Sequence, residues 1–216
     1  MKKILIYLIL IVSTGSSLAE ELLIVHTNDF HGHIAEQKDY AGAARIAAFV
    51  QELRANHPLV LFVDAGDAIT GTPVSSLFEG EPIFDVMNAM GYDVGLLGNH
   101  EFDYGADKIT RFREIAKFPL LGATAFDSQG QIISDSPFII IERGKLKIGI
   151  IGILTDTTPL LITPHGNKNL TFKSPAEVLK QLIPAIKPKV DFLMVLSHTG
   201  FTEDIALAKQ FQEIDL

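Results

Sequence analysis

The sequence contains no cysteine. Thiolate metal ligands, a cysteine nucleophile and a disulfide framework are therefore excluded together. A chain of 216 residues does not need such staples, because it can bury a sizeable apolar core without them. Positive charge is also scarce: 18 Lys and Arg stand against 26 Asp and Glu, a net charge of −8. Internal repeats and low-complexity linkers are lacking as well. The apolar run at the N-terminus, Ile4 to Val12, is nine residues long, too short to span a bilayer core.

That run follows Met1-Lys2-Lys3 and precedes the small, polar stretch Ser13 to Ala19, with Ser17 and Ala19 at the −3 and −1 positions of a cleavage site. The pattern predicts a secretory signal peptide over residues 1–19 and one domain over residues 20–216. No cysteine follows the run, so a lipoprotein anchor is excluded. The expectation is an exported protein, periplasmic or else extracellular or at the cell surface, with no stable membrane anchor. Without Lys2 and Lys3 the remainder holds 16 basic against 26 acidic residues, a net charge of −10. A nucleic-acid polymer needs a basic face, so it is excluded as a partner. A phosphate substrate is not excluded. Its countercharge must come from something other than side chains, and metal ions are the natural supply.

Strand-like and helix-like segments alternate along the mature chain. Leu22–His26, Leu59–Val63, Asp93–Leu97 and Phe192–Leu196 read as short buried strands. Ala41–Leu53, Pro82–Met90, Ala106–Ala116 and Glu203–Gln212 carry apolar residues at helical spacing. Gly91 suits a helix C-cap, and Ser174-Pro175 a helix start. Phe138–Ile141 and Leu146–Ile153 flank Glu142-Arg143-Gly144-Lys145, a hairpin turn, and residues 155–173 read as loop. The alternation predicts an α/β fold, and the hairpin predicts mixed sheets.

Four polar clusters sit at the C-terminal ends of predicted strands, where open α/β sheets bind ligands. The first is Thr27-Asn28-Asp29-Phe30-His31-Gly32-His33; in extended backbone Asp29 and His31 leave on one face, and carboxylate plus imidazole suits a divalent metal. The second is Asp64-Ala65-Gly66-Asp67, in which one aspartate can bridge two metals and Asp64 has the plainer role of a turn or cap. The third is Gly98-Asn99-His100-Glu101-Phe102-Asp103: the Asn99 oxygen can ligate a metal, the His100 imidazole can donate a proton, and Asp103 can orient it. The fourth is Ser197-His198-Thr199-Gly200. Taken singly, each could be a polar loop or a capped turn. Four together are the layout of a metal-dependent hydrolase.

These motifs, in this order and with Gly71-Thr72-Pro73, closely resemble the 5′-nucleotidase family of calcineurin-like metallophosphoesterases, over essentially all of residues 21–216. The resemblance implies a four-layer α/β/β/α sandwich with a two-metal site between the sheet ends. It implies that Asp29 and His31 hold the first metal, that Asp67 bridges both, and that Asn99 and His198 hold the second. His100 would be the catalytic histidine and Asp103 its partner. Two divalent ions, of the Zn, Mn, Co or Mg kind, would clamp the phosphate and activate a water for in-line attack.

The family pattern continues with a Gly-His-x-His type motif and a C-terminal domain that supplies nucleobase contacts, whereas this sequence stops at Leu216. The fold is therefore expected to be incomplete at its C-terminus, the N-terminal portion of a longer protein. His26, His33, His57 and His165 are out of order to replace the motif and read as strand-face or loop-surface residues. The leading expectation is an exported phosphomonoesterase that hydrolyses nucleotides. A cyclic-nucleotide phosphodiesterase, a nucleotide-sugar hydrolase or a sulfur-compound hydrolase on the same scaffold stays open. So does a metal- or phosphate-binding fragment without turnover.

Overall fold

The computed structural model describes residues 21–216, so the predicted leader lies outside the described residues. The first part of the chain runs β1 (Leu22–Thr27), α1 (Ala43–Asn56), β2 (Leu59–Asp64), α2 (Pro73–Leu77), α3 (Glu81–Met90), β3 (Val94–Leu96), α4 (Ala106–Ile115) and β4 (Leu120–Leu121). β1 to β4 pair in sequence order and in parallel, as one sheet. The second part runs β5 (Ala125–Phe126), β6 (Phe138–Arg143), β7 (Leu146–Leu154), β8 (Thr171–Phe172), α5 (Pro175–Ile186), β9 (Phe192–His198) and α6 (Phe201–Gln210). β6 and β7 form the expected antiparallel hairpin and β9 adds in parallel to β7, so the second sheet is mixed. β5 and β8 make a small antiparallel ribbon.

The period-two alternation of the strands sorts their side chains into layers. Leu23, Val25, Val60 and Phe62 pack with Val50, Ile83, Phe84, Met87, Ile109 and Phe112 of α1, α3 and α4. The opposite faces, Leu22, Ile24, Leu59, Leu61 and Val63, meet Ile148, Ile150, Met194 and Leu196 of the second sheet. Beyond it, Ile151, Ile153 and Leu193 pack on Val178, Leu179 and Ile183 of α5 and Leu207 of α6. Strands covered on both faces explain the uninterrupted apolar runs. The order helix, sheet, sheet, helix is the expected α/β/β/α sandwich.

Element boundaries shift for local reasons. α1 starts two residues later than predicted, because Gly42 adopts φ 73 and breaks the helical path. α6 starts earlier, directly after Gly200 at φ 91. Gly91 does close α3 in the left-handed conformation. Pro175 occupies the first turn of α5, but Ser174 makes no side-chain cap bond. β9 runs on to His198, so that histidine is the last residue of its strand. At the edge away from the strand C-termini, Asp93 accepts hydrogen bonds from Arg54 of α1, from Arg143 at the end of β6 and from the Phe62 N–H. This ion cluster ties the two sheets together there. Among the described residues no helix is long and apolar enough to cross a membrane.

The two sheets pack tightly against each other at Gly152. A Cβ there would lie 2.5 Å from Leu121 Cβ and 2.9 Å from Leu96 Cδ1. Gly152→Ala is expected to cost about 1–3 kcal/mol, the usual range for overpacking a filled core, read as a lower urea midpoint. An unchanged midpoint would mean that the sheets have slack at this point.

Candidate metal centre

In the first sheet Thr27 lies opposite Asp64, and Asp64 opposite Gly95, so β1, β2 and β3 open their C-terminal ends at one edge. The second sheet reaches the same edge through β9: His198 Nδ1 donates to the Ala65 carbonyl at 2.8 Å. Two loops are zipped there by backbone bonds: Asp29 N–H to Gly66 O at 3.0 Å, His31 N–H to Asp67 O at 3.1 Å, and Gly32 N–H to Ala68 O at 2.9 Å.

The expectation that Asp29 and His31 share a face through extended backbone is wrong. Both are left-handed, at φ 51 and 47, and so is Asp67 at φ 57. Each such residue costs of order 1–3 kcal/mol. The zipper imposes the conformation and still brings Asp29 Oδ1 to 3.7 Å from His31 Nε2. A neighbouring glycine makes the approach possible: a Cβ on Gly66 would stand 2.8 Å from the Gly98 backbone.

The side chains converge on Asp67, which is 4% exposed. Its Oδ2 lies 3.2 Å from His198 Nε2 and 4.0 Å from His100 Nε2. Ligand atoms of Asp29, Asp67 and His198 fall within 4.8 Å of one another, and so do those of His31, Asp67 and His100. Asp67 is thus common to both groups. The resemblance pairs Asp29 with His31, and those two side chains also approach each other, to 3.7 Å. Asn99 is buried next to His100, and its side-chain amide has no hydrogen-bond partner among the described residues.

The histidines divide into two kinds. His31 and His198 commit Nδ1 to backbone carbonyls, of Ile69 at 3.0 Å and Ala65 at 2.8 Å. That turns Nε2 of each toward the other acidic and imidazole groups, which is the usual orientation of a metal-ligating histidine; on His198 this nitrogen faces Asp67. His100 instead donates Nδ1–H to the Asp103 carboxylate at 2.6 Å. This bond holds its pKa above the ordinary value, against burial, with help from the Asp67 charge. Burial pulls His198 down, but the Asp67 bond and charge outweigh it and raise it to about 9. Burial raises Asp67, and its bond to His198 more than reverses that, so Asp67 is lowered. The two therefore form an ion pair, and a metal entering the site must displace the proton. Two imidazole nitrogens, carboxylates and an amide oxygen, without sulfur, suit a borderline or hard divalent ion. The residues fit such a group.

Sequence reasoning assigned no role to Glu101. It is 1% exposed and accepts hydrogen bonds from four backbone N–H groups: Gly98 at 2.7 Å, Asp67 at 3.0 Å, Ala68 at 2.8 Å and Ile69 at 3.3 Å. Burial and the Asp67 charge raise its pKa to about 7. Its neighbours His100 and Phe102 carry no signal of this role, because three of its four donors lie more than thirty positions away. Asp64 keeps the structural role expected of it, accepting from Thr27 Oγ1 at 2.7 Å and the Gly66 N–H at 3.1 Å.

The sequence pattern of calcineurin-like phosphoesterases matches residues 22–214. A snake venom 5′-nucleotidase from Gloydius brevicauda is 37% identical over 91% of this chain and 36% of its own length. A 5′-nucleotidase from Vibrio vulnificus is 34% identical over 91% of this chain and 38% of its own. The solved structure of a 5′-nucleotidase from Staphylococcus aureus, itself described as putative, superposes with a TM-score of 0.80 at 25% identity, covering 89% of this chain and 43% of that one. The chain thus spans a little over a third of the length of the curated relatives it matches.

Two outcomes follow from the buried acids. Glu101→Ala orphans four donors, each costing about 1–3 kcal/mol. It is expected to lower stability by at least about 3 kcal/mol and to reduce bound metal, checked by denaturant titration and elemental analysis. A loss below about 1 kcal/mol would show that the Asp67 loop does not rely on it. Burial raises Asp64 from 3.8 to about 8. A raised acid pKa means that the folded state holds the proton more tightly. Its contribution to stability is full below about pH 4 and fades as pH rises to about 8. Asp64→Asn is therefore expected to flatten the decline in stability of the metal-free protein across that window, measured as denaturant midpoint against pH.

Proposed function

The chain belongs to the calcineurin-like phosphoesterase family, and on that premise we propose that it is the metal-holding, catalytic part of an exported phosphomonoesterase that hydrolyses nucleotides. The observation that carries the reading is one carboxylate, Asp67, shared by two donor groups, with a histidine–aspartate dyad beside it. The apolar leader supports export. The names of the relatives, 5′-nucleotidases, support the substrate class.

In this reading Asp29, His31, Asp67, Asn99 and His198 hold two divalent ions. Bound there, the ions supply the concentrated positive charge that phosphoryl transfer needs and that this acidic chain lacks. The remaining work falls to side chains. Asp67 fixes both halves of the site relative to each other, because it is buried and its backbone is pinned by Glu101. Its Oδ1 also accepts the His100 N–H at 2.9 Å, which places the dyad turn. His100 donates from Nε2 to a phosphoryl oxygen or to the departing alkoxide. Asp103 keeps the proton-bearing tautomer in place and favours the charged imidazole.

The test is phosphate release by the purified full-length protein from nucleoside monophosphates, a cyclic nucleotide, a nucleotide sugar and a thiosulfate ester, with single divalent metals and after chelation. Hydrolysis of monophosphates that a chelator abolishes and a metal restores is expected. Preference for the cyclic nucleotide, the nucleotide sugar or the sulfur ester would replace the substrate class, and no turnover with any metal would overturn the reading. His100→Ala is expected to lower turnover by roughly 10²–10⁴, the range for a positioned acid–base group, with metal content intact. Loss of a metal would make His100 a ligand. Asp67→Asn is expected to cost more turnover than Asp29→Asn, since one serves both ions and the other serves one. Equal losses would remove the bridging role.

A further inference from the structure

The segment from Thr155 to Leu170, which follows β7, folds back over the turn that carries His100 and Asp103. The turn is short: a 3₁₀ helix of three residues, His100–Phe102, closed by the Asp103 N–H on the His100 carbonyl at 3.1 Å. One such turn has little stability of its own. The returning segment supplies support from outside. Gly166 is packed so tightly on the turn that a Cβ there would overlap the Phe102 carbonyl oxygen and lie 3.3 Å from Asp103 Cα. Across the same contact, a Cβ on Gly105 would lie 3.0 Å from His165 Nε2.

One hydroxyl bridges the two backbones. Thr163 Oγ1 accepts the Gly166 N–H at 3.0 Å and donates to the Asp103 carbonyl at 2.8 Å. Accepting from Gly166 directs the hydroxyl proton toward Asp103, so the bond has a fixed sense. The segment is itself anchored: Ile162, Leu170 and Phe172 pack against the core that holds Phe102, and the Phe172 ring meets the fully buried Phe102 ring edge-on at 5.2 Å. The dyad aspartate is thus held from both sides, by His100 through its carboxylate and by Thr163 through its carbonyl.

We propose that Thr163 and Gly166 are positioning residues for the His100–Asp103 dyad, fixing the peptide of Asp103 and through it the aim of the His100 imidazole. The inference rests on the reading of His100 as the acid–base group. A displacement near 1 Å at such a group can cost up to about 10² in rate.

The test uses the full-length, metal-loaded protein and two readouts. Thr163→Val removes the donor while keeping the shape. It is expected to lower kcat about three- to tenfold, the equivalent of one hydrogen bond, with KM changed less than about twofold. Thr163→Ser is expected to restore kcat to within about twofold. Gly166→Ala is expected to lose more than Thr163→Val. In a His100→Ala background Thr163→Val is expected to have no further effect. The second readout is the proton resonance of the His100 Nδ1–H donated to Asp103, assigned by its absence in His100→Ala. It is expected to shift or broaden in Thr163→Val and to recover in Thr163→Ser. Unchanged kcat and resonance in both Thr163→Val and Gly166→Ala would overturn the proposal. So would a rise in KM at constant kcat, or an equal loss in the His100→Ala background. Should the wild type hydrolyse nothing, the functional reading fails while the resonance still decides the positioning role.

Discussion

The carboxylate of Glu101 is the point at which the fold and the site become one object. A carboxylate taken out of water is costly unless its lone pairs are occupied. Here four N–H groups occupy them: one from the loop after β3 and three from the loop after β2. The bonds run both ways in effect. They make the buried acid tolerable, and they fix residues 67–69 in a path that contains a left-handed aspartate. Without them Asp67 would relax toward ordinary backbone, and the two donor groups that share it would separate. The strain at Asp29, His31 and Asp67 persists because the loops are bonded to each other and to Glu101.

The electrostatics follow from crowding acids in a chain that is already acidic. Asp29, Asp67 and Glu101 lie together, and the local answers available to the metal-free protein are the His198 ion pair and a raised pKa on Glu101. Divalent ions held by these donors would take over the role of the His198 proton, whereas the raised pKa of Glu101 owes most to burial. The dyad feels the same charges but keeps its own partner: His100 bonds Asp103 through Nδ1 at 2.6 Å, on the far side of the ring from Asp67. In the proposed reading, holding metal and moving protons would fall to different histidines in one small volume.

The layered fold was legible because strand runs such as Leu59–Val63 are apolar on both faces, which only a doubly covered sheet requires. The hairpin at Gly144 was legible from its turn chemistry. The donors were legible because Asp, His and Asn recur after such runs. Their conformation was not: spacing of two suggested extended backbone for Asp29 and His31, and the φ values come from loop-to-loop bonds between residues more than thirty positions apart. Glu101 escaped for the same reason, since nothing local marks its four acceptor contacts. The support given to Asp103 by Thr163 crosses 60 positions through a segment that reads as plain loop. The signal peptide and the division into leader and domain rest on sequence alone.

The two edges of the sheet sandwich are fastened by different chemistry. At the edge away from the site Asp93 joins Arg54 and Arg143, partly exposed ions whose attraction weakens as ionic strength rises. At the site edge the link is an imidazole on a carbonyl, next to donors suited to divalent cations. Rising ionic strength therefore slackens one end of the sandwich, while a divalent ion held at those donors would tighten the other. The ionic composition of the medium would thus tune the rigidity of this protein along its length and not uniformly.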